Sequence, residues 1–140
     1  MPRTIDNWRT PAMDARSEKN LAGVHEDLVR VIRAAHAATA GRADGLSFIV
    51  IEGLRTQKRQ AELVAAGASR TMNGRHLTGH AVDIMATVAG RGRWDWPLYA
   101  TLGALMKAEA ARLGVAVTWG GDWPRLRDGP HFELDRKAYP

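Results

Sequence analysis

The chain is 140 residues long, 45% hydrophobic, with a formal net charge of +5. That length suits one domain able to bury a core without covalent staples. The absence of cysteine excludes disulfides and thiolate metal sites and leaves His and carboxylate as metal ligands.

No run of about 18 apolar residues is present to span a membrane. Met1-Pro2-Arg3-Thr4-Ile5-Asp6 lacks the apolar stretch of a secretory signal, so synthesis and folding in a cytoplasm are expected. The positive charge implies an acidic partner. Its spread along the chain, rather than in one block, favours an anionic cell-wall or outer-membrane surface over nucleic acid.

Residues 1–16 show no periodicity and read as an irregular arm packing through Trp8, with Ser17 the N-cap of a short helical turn. Val24, Leu28, Val31, Ile32 and Ala35 follow helical spacing and stop before Gly41. Leu46 to Ile51 is a buried strand, and Thr56 caps a helix running to about Ala66. Ala68 to Asn73 is a loop, Ala81 to Met85 a second strand, and Ala86 to Arg93 a glycine-bearing connection. Leu98 to Leu113 forms an amphipathic helix stopped by Gly114, followed by strands at Val115–Trp119 and His131–Leu134. The expected fold is α+β, a small antiparallel sheet with flanking helices in a single domain over residues 1–140.

The chemistry concentrates in two stretches. Asn73 to Ile84 holds His76, His80 and Asp83, and Asp128-Gly129-Pro130-His131-Phe132-Glu133 offers the same ligand types far away in sequence. A catalytic zinc site needs three protein ligands and an open position. His76 on a loop and Asp83 on a strand can converge on one ion, with His131 as third ligand if the last strand lies beside the first. His80 is an alternative to His76 as ligand, or else a supporting group in the cleft. His25 and His36 read as ordinary helix residues.

Asp128 either takes a proton from a metal-activated water and delivers it to the leaving amine, or merely starts a turn before Gly-Pro. Arg55 is either an exposed arginine or an electrophile that stabilises an oxyanion. Gln60 holds a substrate amide or faces solvent. Trp119 and Trp123 flank Gly120-Gly121 and suggest a cleft wall.

The segments Gly74 to Asp83, Glu52 to Thr56, Trp119 to Trp123 and Asp128 to Leu134 together resemble the phage-type L-alanyl-D-glutamate endopeptidases. These are related to the VanY-like D-alanyl-D-alanine carboxypeptidases. The resemblance runs from about Ser17 to Leu134 in one order. It implies a zinc peptidase of the DD-carboxypeptidase/hedgehog-like type, with His76, Asp83 and His131 as zinc ligands and Asp128 as catalytic base. It further implies that Arg55 stabilises the transition state, with Gln60 beside it. Gly74 stands where the family frequently has serine, which removes one contact to substrate or to a ligand's surroundings.

The expected function is hydrolysis of the L-Ala–D-Glu bond of the peptidoglycan stem peptide by a monomeric endolysin. That protein would accumulate in the host cytoplasm and reach the wall through a holin pore, with His80, Gln60 and Trp119 touching substrate. Two alternatives are a D-Ala-D-Ala carboxypeptidase and a non-catalytic wall-binding module with a structural zinc.

Overall fold

Strand β2 (Ala81–Val88) is paired along both edges and fixes the rest of the sheet. One edge carries β1 (Leu46–Glu52). The other carries β5 (His131–Leu134) beside Ala81 to Asp83 and β3 (Arg91–Arg93) beside Ala86 to Val88. Strand β4 (Val117–Trp119) extends the sheet beyond β5, and every pairing is antiparallel. The computed structural model describes residues 13–68 and 74–140. The expected arm through Trp8 therefore lies almost wholly outside the described residues, as does most of the loop from Ala68 to Asn73.

Period-two alternation sorts β2 into two faces. Val82, Ile84 and Ala86 are fully buried and face the core, whereas Asp83 and Met85 lie on the other side. Helices α2 (Glu26–Ala38) and α4 (Trp96–Leu113) pack together over the core face. The helical spacing read in α2 is the buried stripe: Leu28, Val31, Ile32 and Ala35 have no exposed surface. Thr56 caps α3 (Gln57–Ala65) as expected, its side chain accepting from the Arg59 N–H.

Four expectations need correction. Asp14, not Ser17, caps α1 (Ala15–Leu21). The α2 stripe starts after His25, whose Nδ1 accepts from the Asp27 N–H and closes the helix end. The connection from Ala86 to Arg93 is a hairpin, so the sheet has a fifth strand. Ala89 and Gly90 form its two-residue turn with φ of 51° and 81°, the doubly left-handed turn that matches strand twist. Alanine rarely occupies such a position, so the turn carries no residue signature of its type. Finally, β4 begins at Val117 rather than Val115: the Val115 N–H is used to close α4 on the Ala110 carbonyl, past a left-handed Gly114.

Helix α1 seals the outer edge of β1. The Val50 N–H donates to Ser17 Oγ at 2.9 Å, and Asn20 Nδ2 donates to the Val50 carbonyl at 2.9 Å. Ser17 is completely buried, so its hydroxyl is the sole visible reason for a polar residue there. Ser17→Ala should leave the Val50 N–H without an acceptor and lower stability by about 1–3 kcal/mol. Denaturant unfolding checks this as a reduced midpoint with an unchanged slope.

Candidate metal centre and cleft

The antiparallel register of β2 and β5 sets Asp83 opposite His131. Both lie on the face turned away from the core, so the carboxylate and imidazole meet, with His131 Nδ1 at 3.1 Å from Asp83 Oδ1. His76 comes from the short 3₁₀ turn Arg75–Thr78 that leads into β2, and its Nε2 lies 3.3 Å from Asp83 Oδ2. One donor atom from each of the three residues falls within 4.8 Å of the others. A pairing irregularity on β1 between Val50 and Glu52 sits opposite this point, at the Glu52–Asp83 pair. Bulges of this kind redirect side chains beside functional sites.

Each imidazole is held by the nitrogen that faces away from Asp83. His76 Nδ1 donates to the Gly53 carbonyl at 2.9 Å, which leaves Nε2 as the donor directed at the cluster. His131 Nε2 is 2.8 Å from Glu133 Oε1, leaving Nδ1 for the cluster. Such outer partners fix the tautomer and orientation of metal-binding histidines. Gly53 is needed for the first of them, because a Cβ there would lie 2.0 Å from the Asn20 carbonyl oxygen. Two nitrogens and a carboxylate, mostly buried and oriented from outside, suit a divalent metal such as zinc.

The electrostatics agree with that fit. Burial works to raise the Asp83 pKa, but hydrogen bonds from His131 and His76 outweigh it and hold the carboxyl well below the usual carboxylate range. Burial works to lower the His131 pKa, but Asp83 and Glu133 outweigh it and raise it to about 9. Asp128 is shifted upward, first by burial and then by the nearby charge of Asp83.

These residues line a cleft of about 580 Å³ together with Arg55, Gln60 and Asp128. Asp128 is positioned by backbone bonds at both of its ends: its N–H donates to the Gly120 carbonyl, and its carbonyl accepts from the His131 N–H. Gly120 must lack a side chain, since a Cβ would lie 2.4 Å from the Asp128 carbonyl oxygen. Arg55 is not a solvent-exposed arginine. Its Nε donates to Glu52 at 2.7 Å, Nη1 donates to Gln60 at 2.8 Å, and Nη2 lies 3.8 Å from Asp83. Gln60 does not face solvent either; it is fully buried and holds Arg55.

Two expected cleft residues lie elsewhere. Trp119 is a buried wall between Trp96 and Phe132, its indole N–H donating to the Gly129 carbonyl at 2.7 Å. It supports the Asp128–His131 turn from beneath. Trp123 occupies the cleft instead, with its ring 5.1 Å from that of His131. His80 is outside the metal cluster and outside the cleft lining: it bonds Thr78 at 2.6 Å and packs 5.6 Å from His25.

Sequence reasoning assigned no role to Glu133, Glu52 or Arg75. Arg75 Nη2 donates to the Leu134 and Tyr139 carbonyls, tying the turn that carries His76 to the chain beyond β5. For Glu133 a signal existed, because it is two residues from His131 on a strand and must share its face.

The chain belongs to the family of phage L-alanyl-D-glutamate peptidases, whose family model matches residues 11–139. It is similar to the L-alanyl-D-glutamate peptidase of Listeria phage A118, at 37% identity over 69% of this chain and 34% of that protein. It thus spans about a third of that relative's length. The L-alanyl-D-glutamate peptidase of Escherichia phage T5 is 30% identical, with 88% of each chain covered. The crystal structure of the Serratia marcescens L-Ala D-Glu endopeptidase ChiX superposes with a TM-score of 0.82 at 47% identity, covering 96% of this chain and 98% of that one.

The pKa shifts set a pH response for the metal-free protein. A raised His131 adds stability that is complete below the unfolded histidine value of about 6.5 and disappears as pH climbs through about 9. Asp83, shifted down, adds stability above the unfolded value of about 3.9 that is lost on acidification. A metal competes with the proton on His131, so its affinity should grow over the range where the apo form weakens. Thermal melts of chelated protein should therefore fall between about pH 6.5 and 9, while added zinc should raise the midpoint most at the alkaline end.

Proposed function

We propose that this protein is a zinc-dependent peptidoglycan endopeptidase that hydrolyses the L-Ala–D-Glu bond of the stem peptide. The observation that carries this reading is the convergence of His76, Asp83 and His131 at one end of a cleft also lined by Asp128 and Arg55. Family membership supplies the substrate class: its relatives are named for that bond.

Zinc held by His76, Asp83 and His131 would supply Lewis-acid polarisation and the acidification of water. The side chains account for the remaining chemistry. Asp128 accepts the proton of the attacking water, and its raised pKa suits it to pass that proton on to the leaving nitrogen of D-Glu. Arg55, fixed by Glu52 and Gln60, presents a guanidinium edge to the charge that develops on the scissile carbonyl oxygen. Gln60 acts through Arg55 rather than on substrate. Preorganisation by such supports lets a site stabilise charge without rearranging as it forms.

The reading extends to a lytic role. The net charge of +5 favours contact with an anionic envelope, and no helix among the described residues is long and apolar enough to cross a membrane.

Mass spectrometry of digested sacculi tests the cleavage site: a new amino terminus on D-Glu is expected, while released D-alanine would point to carboxypeptidase action. Asp128→Asn should keep bound metal yet lose at least about 100-fold in rate. Undiminished lysis by that variant would remove Asp128 from the mechanism. A wild-type protein that binds sacculi and zinc but releases no peptide would identify a wall-binding module.

A further inference from the structure

Four arginines line the cleft: Arg55, Arg75, Arg127 and Arg136. Three are committed to the protein. Arg55 is bound by Glu52 and Gln60, Arg75 by two backbone carbonyls, and Arg136 by Glu133, with Nε at 3.3 Å from Oε2. Arg127 differs. Its guanidinium carbon lies 4.8 Å from the centre of the Trp96 ring, and its Nε donates to the Gly121 carbonyl at 3.3 Å. Among the described residues it has no carboxylate partner. It is therefore a cation held in place by an aromatic face and one carbonyl, with donors left over for an anion.

The backbone in front of it is also unusual. Leu126 has φ of 54°, uncommon for a residue with a side chain, yet it is 63% exposed and lines the same cleft. No core contact explains that conformation, and strain of this kind concentrates where a loop meets its ligand. Arg127 immediately precedes Asp128 in the chain, and both residues line the same cleft.

We infer that Arg127 is a specificity-determining residue that binds the free α-carboxylate of the stem peptide's D-glutamate. The inference rests on the cleavage site proposed above. D-Glutamate continues the stem through its γ-carboxyl, so its α-carboxylate stays free on the carbon that bears the leaving nitrogen. Arg127 lines the same cleft as Asp128, and with only its Nε engaged by a carbonyl it keeps the Nη1 and Nη2 donors for that group. Amidation of the same carboxylate to D-isoglutamine removes the charge while leaving the scissile bond unchanged.

The test is steady-state cleavage of two muropeptides that differ only in α-carboxylate or α-carboxamide on D-Glu, by wild type, Arg127→Ala and Arg127→Lys. Wild type should prefer the carboxylate. Arg127→Ala should lose roughly 10- to 100-fold in kcat/KM on the carboxylate and less than about threefold on the carboxamide. Arg127→Lys should recover part of the loss. Equal losses on both substrates, or no loss on either, overturn the assignment while leaving the cleavage site standing. Failure of wild type to cut either substrate between L-Ala and D-Glu overturns both. Unchanged zinc content and thermal midpoint in the two variants separate a lost contact from a damaged fold.

Discussion

The pairing of Asp83 with His131 across β2 and β5 is the constraint on which the site depends. Side chains alternate between the faces of a strand, so a slip of one residue would send Asp83 into the core and bring Val82 or Ile84 out. The core prevents that slip, because Phe132 and Leu134 are fully buried on the face opposite His131. Hydrophobic burial on one side of the sheet thus dictates where ionisable groups meet on the other. Neither Asp83 nor His131 would be tolerated half-buried alone. Together they satisfy one another across the strand pairing, where His131 Nδ1 lies 3.1 Å from Asp83 Oδ1.

The supports around this cluster form a second tier. Gly53 orients one histidine and Glu133 the other, while Glu52 and Gln60 hold Arg55. Gly53 and Glu52 are neighbours at the end of β1. A single strand end thereby supports both His76 and Arg55.

Much of this was legible in the chain. Ligand chemistry singled out His76, Asp83 and His131 with His80 as an alternative to His76, the family resemblance favoured His76, and the stripe of α2 and the strand at Leu46 followed from periodicity. What escaped was geometry across strands. Trp119 pairs with Phe132, which puts it in register with a core residue. Trp123 lies past the end of β4 and is free of that alternation, so it can turn to His131. His80 has the parity of Val82 rather than Asp83, which argues against a place beside Asp83 and His131 once Asp83's face is known. The hairpin at Ala89-Gly90 was hidden because its turn uses an alanine where asparagine or glycine is usual.

The seal that Ser17 and Asn20 place on Val50 has a consequence for how the protein behaves when crowded. Strand β1 ends the sheet on one side, and Leu46-Ser47-Phe48-Ile49-Val50-Ile51 is a charge-free, β-prone hexapeptide without proline or glycine. Segments of that composition template cross-β stacking when their edge is bare. Helix α1 therefore covers the β1 edge at Val50 as well as contributing Leu21 to the core, the kind of cover that blocks edge-to-edge strand pairing.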